Sequence, residues 1–240
     1  MRNNLETETS TNTHSAEKAY SYCLENKEHE DIIELLNSQD ELKKQAAILN
    51  LKEIKSSREA SIFIMNLTGQ SSLIREITAI KLNEFVKNDK YRQFFQQGNI
   101  LEKLAMAIID VNPTVCRNVI EILIKIDNKK YLVQEISKKF FEAYEEVKNF
   151  KNYKSYEANK KIFKLYWYLE SIYILLGDFS KDENFNKILK ISAEFKDYTI
   201  REKAAKIIAQ INDCSDEIKM YKNMLQTDEN LYVRRYLSKL

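Results

Sequence analysis

Glycine and proline are nearly missing from this chain: three and one among 240 residues, against usual frequencies of roughly 7% and 5%. Tight β-hairpin turns draw on glycine for positive φ, so sandwiches, barrels and doubly wound sheets are disfavoured. The same shortage removes phosphate-cradling loops, which need several glycines at fixed spacing so that backbone N–H groups approach the anion. Gly69, Gly98 and Gly177 stand alone, and neither a Walker nor a Rossmann pattern is present. Histidine is as scarce: His14 and His29 both lie near the N-terminus, leaving no distant imidazole to complete a Ser or Cys triad. The three cysteines, Cys23, Cys116 and Cys214, form no CxxC pair, which suits buried thiols in a reducing compartment. No catalytic residue, metal ligand set or cofactor is expected.

Charge of one sign is also lacking. Thirty-eight basic residues against thirty-six acidic ones leave a net charge of +2, too balanced for a protein that wraps nucleic acid through phosphate contacts. No apolar run approaches the roughly 18 residues of a membrane span, and MRNNLETETSTNTHS has no apolar core of a signal peptide. The expectation is a cytoplasmic protein with no membrane partner. Residues 1–14 read as a disordered polar tail, and 15–240 as one folded domain.

What is present is repetition. DYTIREKAAKIIAQI around Ile200 and NPTVCRNVIEILIKI around Val115 share a frame: an Asp or Asn, two spacers, a β-branched residue, then small and apolar residues at helical spacing. In the second the arginine, Arg117, sits one place late. Fainter copies are SSLIREITAIKLNEF, QDELKKQAAILNLKEI and ENLYVRRYLSKL, anchored on Ile74, Leu42 and Val233. The anchors 42, 74, 115, 200 and 233 are separated by 32, 41, 85 and 33 residues; the long gap holds one copy that has lost the pattern. A Ser, Asp or Asn three places ahead of the anchors at 74, 115, 200 and 233 can cap a helix, and Pro113 suits a first turn. Before each anchor runs a shorter amphipathic stretch, such as HEDIIELLNS or NILEKLAMAIID. Two helices per 32 to 42 residues is the pattern of an α-solenoid.

At these motifs the chain resembles the HEAT-repeat family, whose second helix opens with Asp or Pro, then Val-Arg, then small residues. The resemblance spans roughly residues 28 to 240 and implies an all-α, right-handed α-solenoid of about six helical hairpins with a concave face of second helices. SAEKAYSYCLEN looks like its N-terminal capping helix. The resemblance further implies that Arg75, Arg201 and Arg234 form a structural ladder, each pairing with an acid of an adjacent repeat. An unpaired ladder would instead face an acidic ligand.

The copy without the motif lies in NFKNYKSYEANKKIFKLYWYLESIYILLGD. Wound as a helix at about 100° per residue, Ala158, Ile162, Leu165, Leu169, Ile172 and Leu176 form a core stripe. Phe163, Trp167 and Ile174, joined by Tyr156, fall on a second face, which a neighbouring helix or a partner can cover. Lys148, Lys151, Lys154, Lys160, Lys161 and Lys164 accompany one acid there, Glu157, with Phe150 and Tyr153 interleaved. That combination suits phosphate contacts and stacking, or simply a solvated loop. The acidic Glu25, Glu28, Glu30, Asp31 and Glu34 lie near the first hairpin, set against this basic middle.

The function expected from these features is a non-enzymatic scaffold that holds a protein or peptide partner on its concave face. Phe163, Trp167, Ile174, Lys160, Lys161 and Lys164 are the candidate partner-binding residues. The alternative is a nucleic-acid-binding HEAT protein, including one like the DNA glycosylases that act on alkylated bases, of which Trp167 and Glu170 one turn later are a faint echo.

Overall fold

The computed structural model describes residues 27–150, 153, 155–212 and 215–237. The polar stretch 1–14 and the expected cap at 15–26 lie outside the described residues, as do Cys23, Cys214, Lys151 and Lys154. Among the described residues there are helices and no strand. They gather into two compact units: one takes the described residues up to Ala107 together with Asn112–Ile126, the other Ile108–Val111 and Asp127 onward.

The first unit holds α1 (His29–Leu35), α2 (Glu41–Asn50), α3 (Ser57–Ile64), α4 (Ser72–Val86), α5 (Asp89–Arg92), α6 (Gly98–Ala107) and α7 (Pro113–Lys125), with 3-10 turns at Met65–Thr68 and Gln93–Phe95. The second holds α8 (Lys129–Val147), α9 (Tyr156–Ile174), α10 (Leu176–Phe179), α11 (Phe185–Ala193), α12 (Tyr198–Ile208), α13 (Asp216–Gln226) and α14 (Leu231–Arg234). Each unit is an all-α solenoid of three hairpins. In the first, α1 pairs with α2, α3 and its 3-10 extension with α4, and α6 with α7, while the second helices α2, α4 and α7 pack side by side. In the other, α8 pairs with α9, α11 with α12 and α13 with α14, and α9, α12 and α14 form the corresponding row.

The residues expected to cap do stand at the helix starts. Backbone N–H groups of Thr114, Thr199 and Tyr232 donate to the side chains of Asn112, Asp197 and Asn230, satisfying donors the helix leaves open. Ser71 is also an N-cap by position, but its hydroxyl donates to Glu41 at 3.2 Å instead. In the long gap the cap is Ser155, which accepts from Ala158 N–H. From Asn112 to Ser155 and from Ser155 to Asp197 the intervals are 43 and 42 residues. The missing copy is therefore in register, with buried Ala158 replacing the β-branched anchor and Asn159 the arginine. The first copy is shifted: its cap is Asp40, which makes Lys43 rather than Leu42 the third residue on.

The arginine four places after the cap has a fixed task. Arg75 Nη1 donates to the carbonyls of Gly69 and Gln70 at 3.0 and 2.8 Å. Arg201 Nη1 donates to those of Phe195 and Lys196 at 2.9 and 2.8 Å, and Arg234 Nη1 to those of Asp228 and Glu229. In all three the acceptors lie six and five residues back, so the side chain pins the turn that delivers its own helix. Arg201 also grips Asp228 of the next hairpin bidentately, at 2.6 and 3.1 Å, as the family resemblance implies. Arg117, one place late, faces solvent, and buried Cys116 takes the vacated inward position.

Both rows of second helices enclose aliphatic cores. Ile74, Ala79, Leu82, Val119 and Leu123 are buried in the first unit, and Leu165, Leu169, Ile172, Ala204 and Ile207 in the second. Each valine, leucine and isoleucine among them contributes roughly 1.5–3 kcal/mol through removal from water. Of the stripe expected along α9, only Leu176 is merely half-buried: the helix ends at Ile174, Leu175 leaves helical geometry, and Leu176 belongs to α10.

Candidate functional site at the α9–α12 seam

Helix α9 is nineteen residues long and turns two kinds of surface away from its core stripe. Near its start the lysines go separate ways. Lys164 Nζ meets both carboxylate oxygens of Glu146 on α8 at 2.9 Å. Lys161 lies 3.7 Å from Glu157 on its own helix and 5.3 Å from the Phe150 ring. Lys160 is exposed. The three do not converge on one anion position.

The aromatic residues assort differently from the angular expectation. Phe163 and Trp167 do meet, edge to face, with ring centroids 5.9 Å apart, and Tyr166 meets Trp167 at 5.7 Å. Both Phe163 and Trp167 are half-buried, and the indole Nε1 is enclosed without an acceptor among the described residues. Ile174 is 37% exposed and belongs elsewhere: with Tyr173, Leu176, Gly177, Gln210 and Ile211 it lines a cleft of about 630 Å³ at the ends of α9 and α12. Tyr156 projects into solvent.

Between these two features lies a group that sequence reading left unassembled. Tyr166, Glu170 and Tyr173 are spaced i, i+4, i+7 and share one side of α9. Opposite them α12 presents Lys203 and Lys206, one turn apart. The Lys203 ammonium sits 4.0 Å from the centre of the Tyr166 ring, and that of Lys206 lies 3.9 Å from the centre of Tyr173. Glu170 reaches between them, accepting from Lys203 in a short contact and from Lys206 at 3.0 and 3.3 Å. The order along the seam is therefore ring, cation, carboxylate, cation, ring.

The electrostatics follow from this order. Burial pushes the Glu170 carboxyl up, and hydrogen bonds and charge from Lys203 and then Lys206 outweigh it, holding the group below the ordinary carboxylate value. Burial likewise pulls Lys203 down, but Glu170 and Tyr166 more than compensate, so its ammonium is held above the usual lysine value. Glu170 and Lys203 are therefore both charged at neutral pH. Trp167 and Glu170, adjacent by one turn, thus serve different neighbours: the indole faces Phe163 and Tyr166, the carboxylate faces α12.

The signal for this seam was present as Tyr-x₃-Glu-x₂-Tyr in one copy and Lys-x₂-Lys in the next. It required knowing that the second helices of these copies are neighbours. Among the described residues no His, Cys, Asp or Glu cluster is arranged to hold a metal ion, and no helix is long and apolar enough to cross a membrane.

No protein-family model matches the chain, and no curated protein does. Solved structures similar to it include a designed armadillo repeat protein in complex with the peptide (KR)4, at 16% identity over 88% of this chain and 97% of that one, with a TM-score of 0.45. Others are an engineered protein at 16% identity over 88% and 96%, TM-score 0.44, and a second designed armadillo repeat protein at 15% over 88% and 97%, TM-score 0.41. The fold stands on the hairpin packing itself.

Proposed function

We propose that the protein is a non-enzymatic, HEAT-like scaffold of the cytoplasm that holds an extended segment of a protein partner against the second helices of its second unit. The observation carrying this reading is the seam surface. Tyr166, Tyr173 and Trp167 supply large, rigid, amphipathic rings, Lys203, Lys206 and Glu170 supply oriented charge, and the adjacent cleft offers an apolar recess. Aromatic anchors beside fixed polar groups are the composition of binding hot spots.

Nucleic acid fits this surface less well. Lys161 and Lys164 already face Glu157 and Glu146, and a phosphate chain would have to displace or repel those carboxylates.

A photo-reactive phenylalanine analogue at Tyr173, compared with one at Tyr131 on α8, tests the scaffold reading in living cells. The expected result is a discrete set of crosslinked peptides at position 173 that is absent at 131. Equal labelling at both positions, or none at 173, sinks it.

A further inference from the structure

On and beside the second helices of the second unit, several cations have a carboxylate of their own. Arg201 holds Asp228 and lies 3.8 Å from Glu229, Arg235 holds Glu202 at 2.6 Å, Lys164 holds Glu146, and Lys161 has Glu157. Lys203 and Lys206 differ: they share Glu170, and among the described residues no other carboxylate lies within ion-pair distance of either. Their side chains are 10% and 22% exposed, and that of Glu170 is 20% exposed. Two ammoniums and one carboxylate thus sit partly out of water with one positive charge in excess. A partly buried charge without its counterpart is costly. Glu170 and Tyr166 together offset the burial of Lys203, which leaves the excess at Lys206, where the Tyr173 face supplies a contact worth less than a desolvated ion pair.

The cleft past Tyr173 supplies a second requirement. It is lined by Ile174, Leu176 and Ile211, with no charged group among the described residues, and it begins one helical turn beyond Lys206, at Gln210. One turn rises about 5–6 Å, which an extended chain covers in about two residues.

We infer that the segment held at the seam is acidic, that one of its carboxylates seats beside the Lys206 ammonium, and that an aliphatic side chain about two residues away enters the cleft. This rests on the proposed scaffold reading and specifies its partner: an Asp or Glu, a spacer, then Leu, Ile or Val. The incoming carboxylate gives each ammonium a counterion, and Lys206 receives it because it is the more open of the two. Gly177 lines the cleft, has no positive φ, and a Cβ added there meets nothing within 4 Å. A larger side chain at 177 therefore finds room at its Cβ without strain, on the wall of the recess.

Three fluorescein-labelled probes test the assignment by anisotropy: a dodecapeptide built on Glu-Ser-Leu, its Gln-Ser-Leu counterpart, and a twelve-base oligothymidylate. The Glu peptide is expected to bind about tenfold or more tightly than the Gln peptide, because a charge-assisted contact is lost in the latter. Lys206→Gln abolishes that difference. Gly177→Leu weakens both peptides about fivefold or more, and thermal unfolding confirms that both variants fold. If the Gln peptide binds as well as the Glu peptide and Gly177→Leu still weakens it, the acidic assignment falls while the scaffold reading stands. If neither peptide binds, or neither variant changes binding, both fall. If oligothymidylate binds in preference to the Glu peptide and is lost in Lys206→Gln, the seam serves phosphate and the peptide assignment is overturned.

Discussion

The two units obey one packing rule inward and differ in what their second helices turn outward. In the first, α2, α4 and α7 contain a single aromatic residue, Phe85, which is buried, and their large exposed apolar side chains are Leu49, Leu73, Ile80 and Ile124. In the second, α9, α12 and α14 carry Tyr156, Phe163, Tyr166, Trp167, Tyr168, Tyr173, Tyr198 and Tyr232. The caps, the inward aliphatic residues and the turn-pinning arginine recur in both. A solenoid hairpin needs those features to stack and places little constraint on the remaining face, so that face is where one unit can acquire a recognition surface that the other lacks.

The sharpest way to break this comparison is to exchange inward and outward roles. Leu82→Ala in the first unit and Leu169→Ala in the second, both fully buried, are each expected to lose about 2–5 kcal/mol of stability, read from urea unfolding. Ile80→Ala, on the outward face of α4 and 42% exposed, should stay within about 0.5 kcal/mol. A large loss at Ile80 would mean that the outward aliphatic row of the first unit is structural.

The arginines give the next contrast. Arg201→Met removes two carbonyl contacts and a bidentate carboxylate pair, and should cost about 2–3 kcal/mol in urea unfolding. Arg117→Met, one position out of register and solvent-facing, should cost less than about 0.5 kcal/mol. Equal costs would show that the pinned turn contributes nothing beyond a surface charge.

Acid should separate the units by another route. Burial raises Asp228, but Arg201 and the Asn230 backbone N–H outweigh it, so this carboxyl too is held below its ordinary value, as Glu170 is. Between the lowered folded values and the ordinary ones near pH 4, the unfolded chain binds protons that the folded chain refuses. Stability therefore rises with pH across that window and is lost as pH falls through the folded values. Hydrogen exchange at about pH 3.5 against pH 7, corrected for intrinsic rates, should show protection falling more in α12 and α14 than in α4 and α7. Lys203, held up by Glu170, adds the mirror effect: its contribution is complete below the ordinary lysine value and fades as pH rises through the higher folded one.

Sequence alone reached the hairpins because their determinants are local. Ser71, Asn112, Asp197 and Asn230 sit next to the helices they start, and alanines at helical spacing mark where another helix approaches. It lost the copy in the middle because Ala158 and Asn159 keep the positions but not the chemistry of Val-Arg, and it slipped by one at the first copy because Leu42 resembles an anchor more than Lys43 does. At the site, Trp167 and Phe163 were legible as a pair one turn apart. Ile174 was grouped with them by angle, but seven residues along a helix is a displacement of about 10 Å, enough to put it in a separate cleft. The seam was not legible because Lys203 and Lys206 lie 33 and 36 residues from Glu170, and no local pattern joins residues so far apart in sequence.

The smallest expected effect bears on how alike the repeating parts of the two units are. Asp197 and Ser71 occupy the same cap position, yet the Asp197 carboxylate accepts from Thr199 N–H at 2.9 Å while the Ser71 hydroxyl is turned to Glu41. Asp197→Ala should therefore cost about 1 kcal/mol, and Ser71→Ala only a few tenths, since no helix N–H loses its acceptor. The aspartate also places a negative charge at the positive end of α12, which the serine cannot do for α4. The gap between the two variants should accordingly narrow in high salt, leaving the hydrogen-bonded part. If Ser71→Ala costs as much as Asp197→Ala in thermal unfolding, the cap at α4 is made by Ser71 in solution, and the two units are more alike in their repeating parts than their hydrogen bonds indicate.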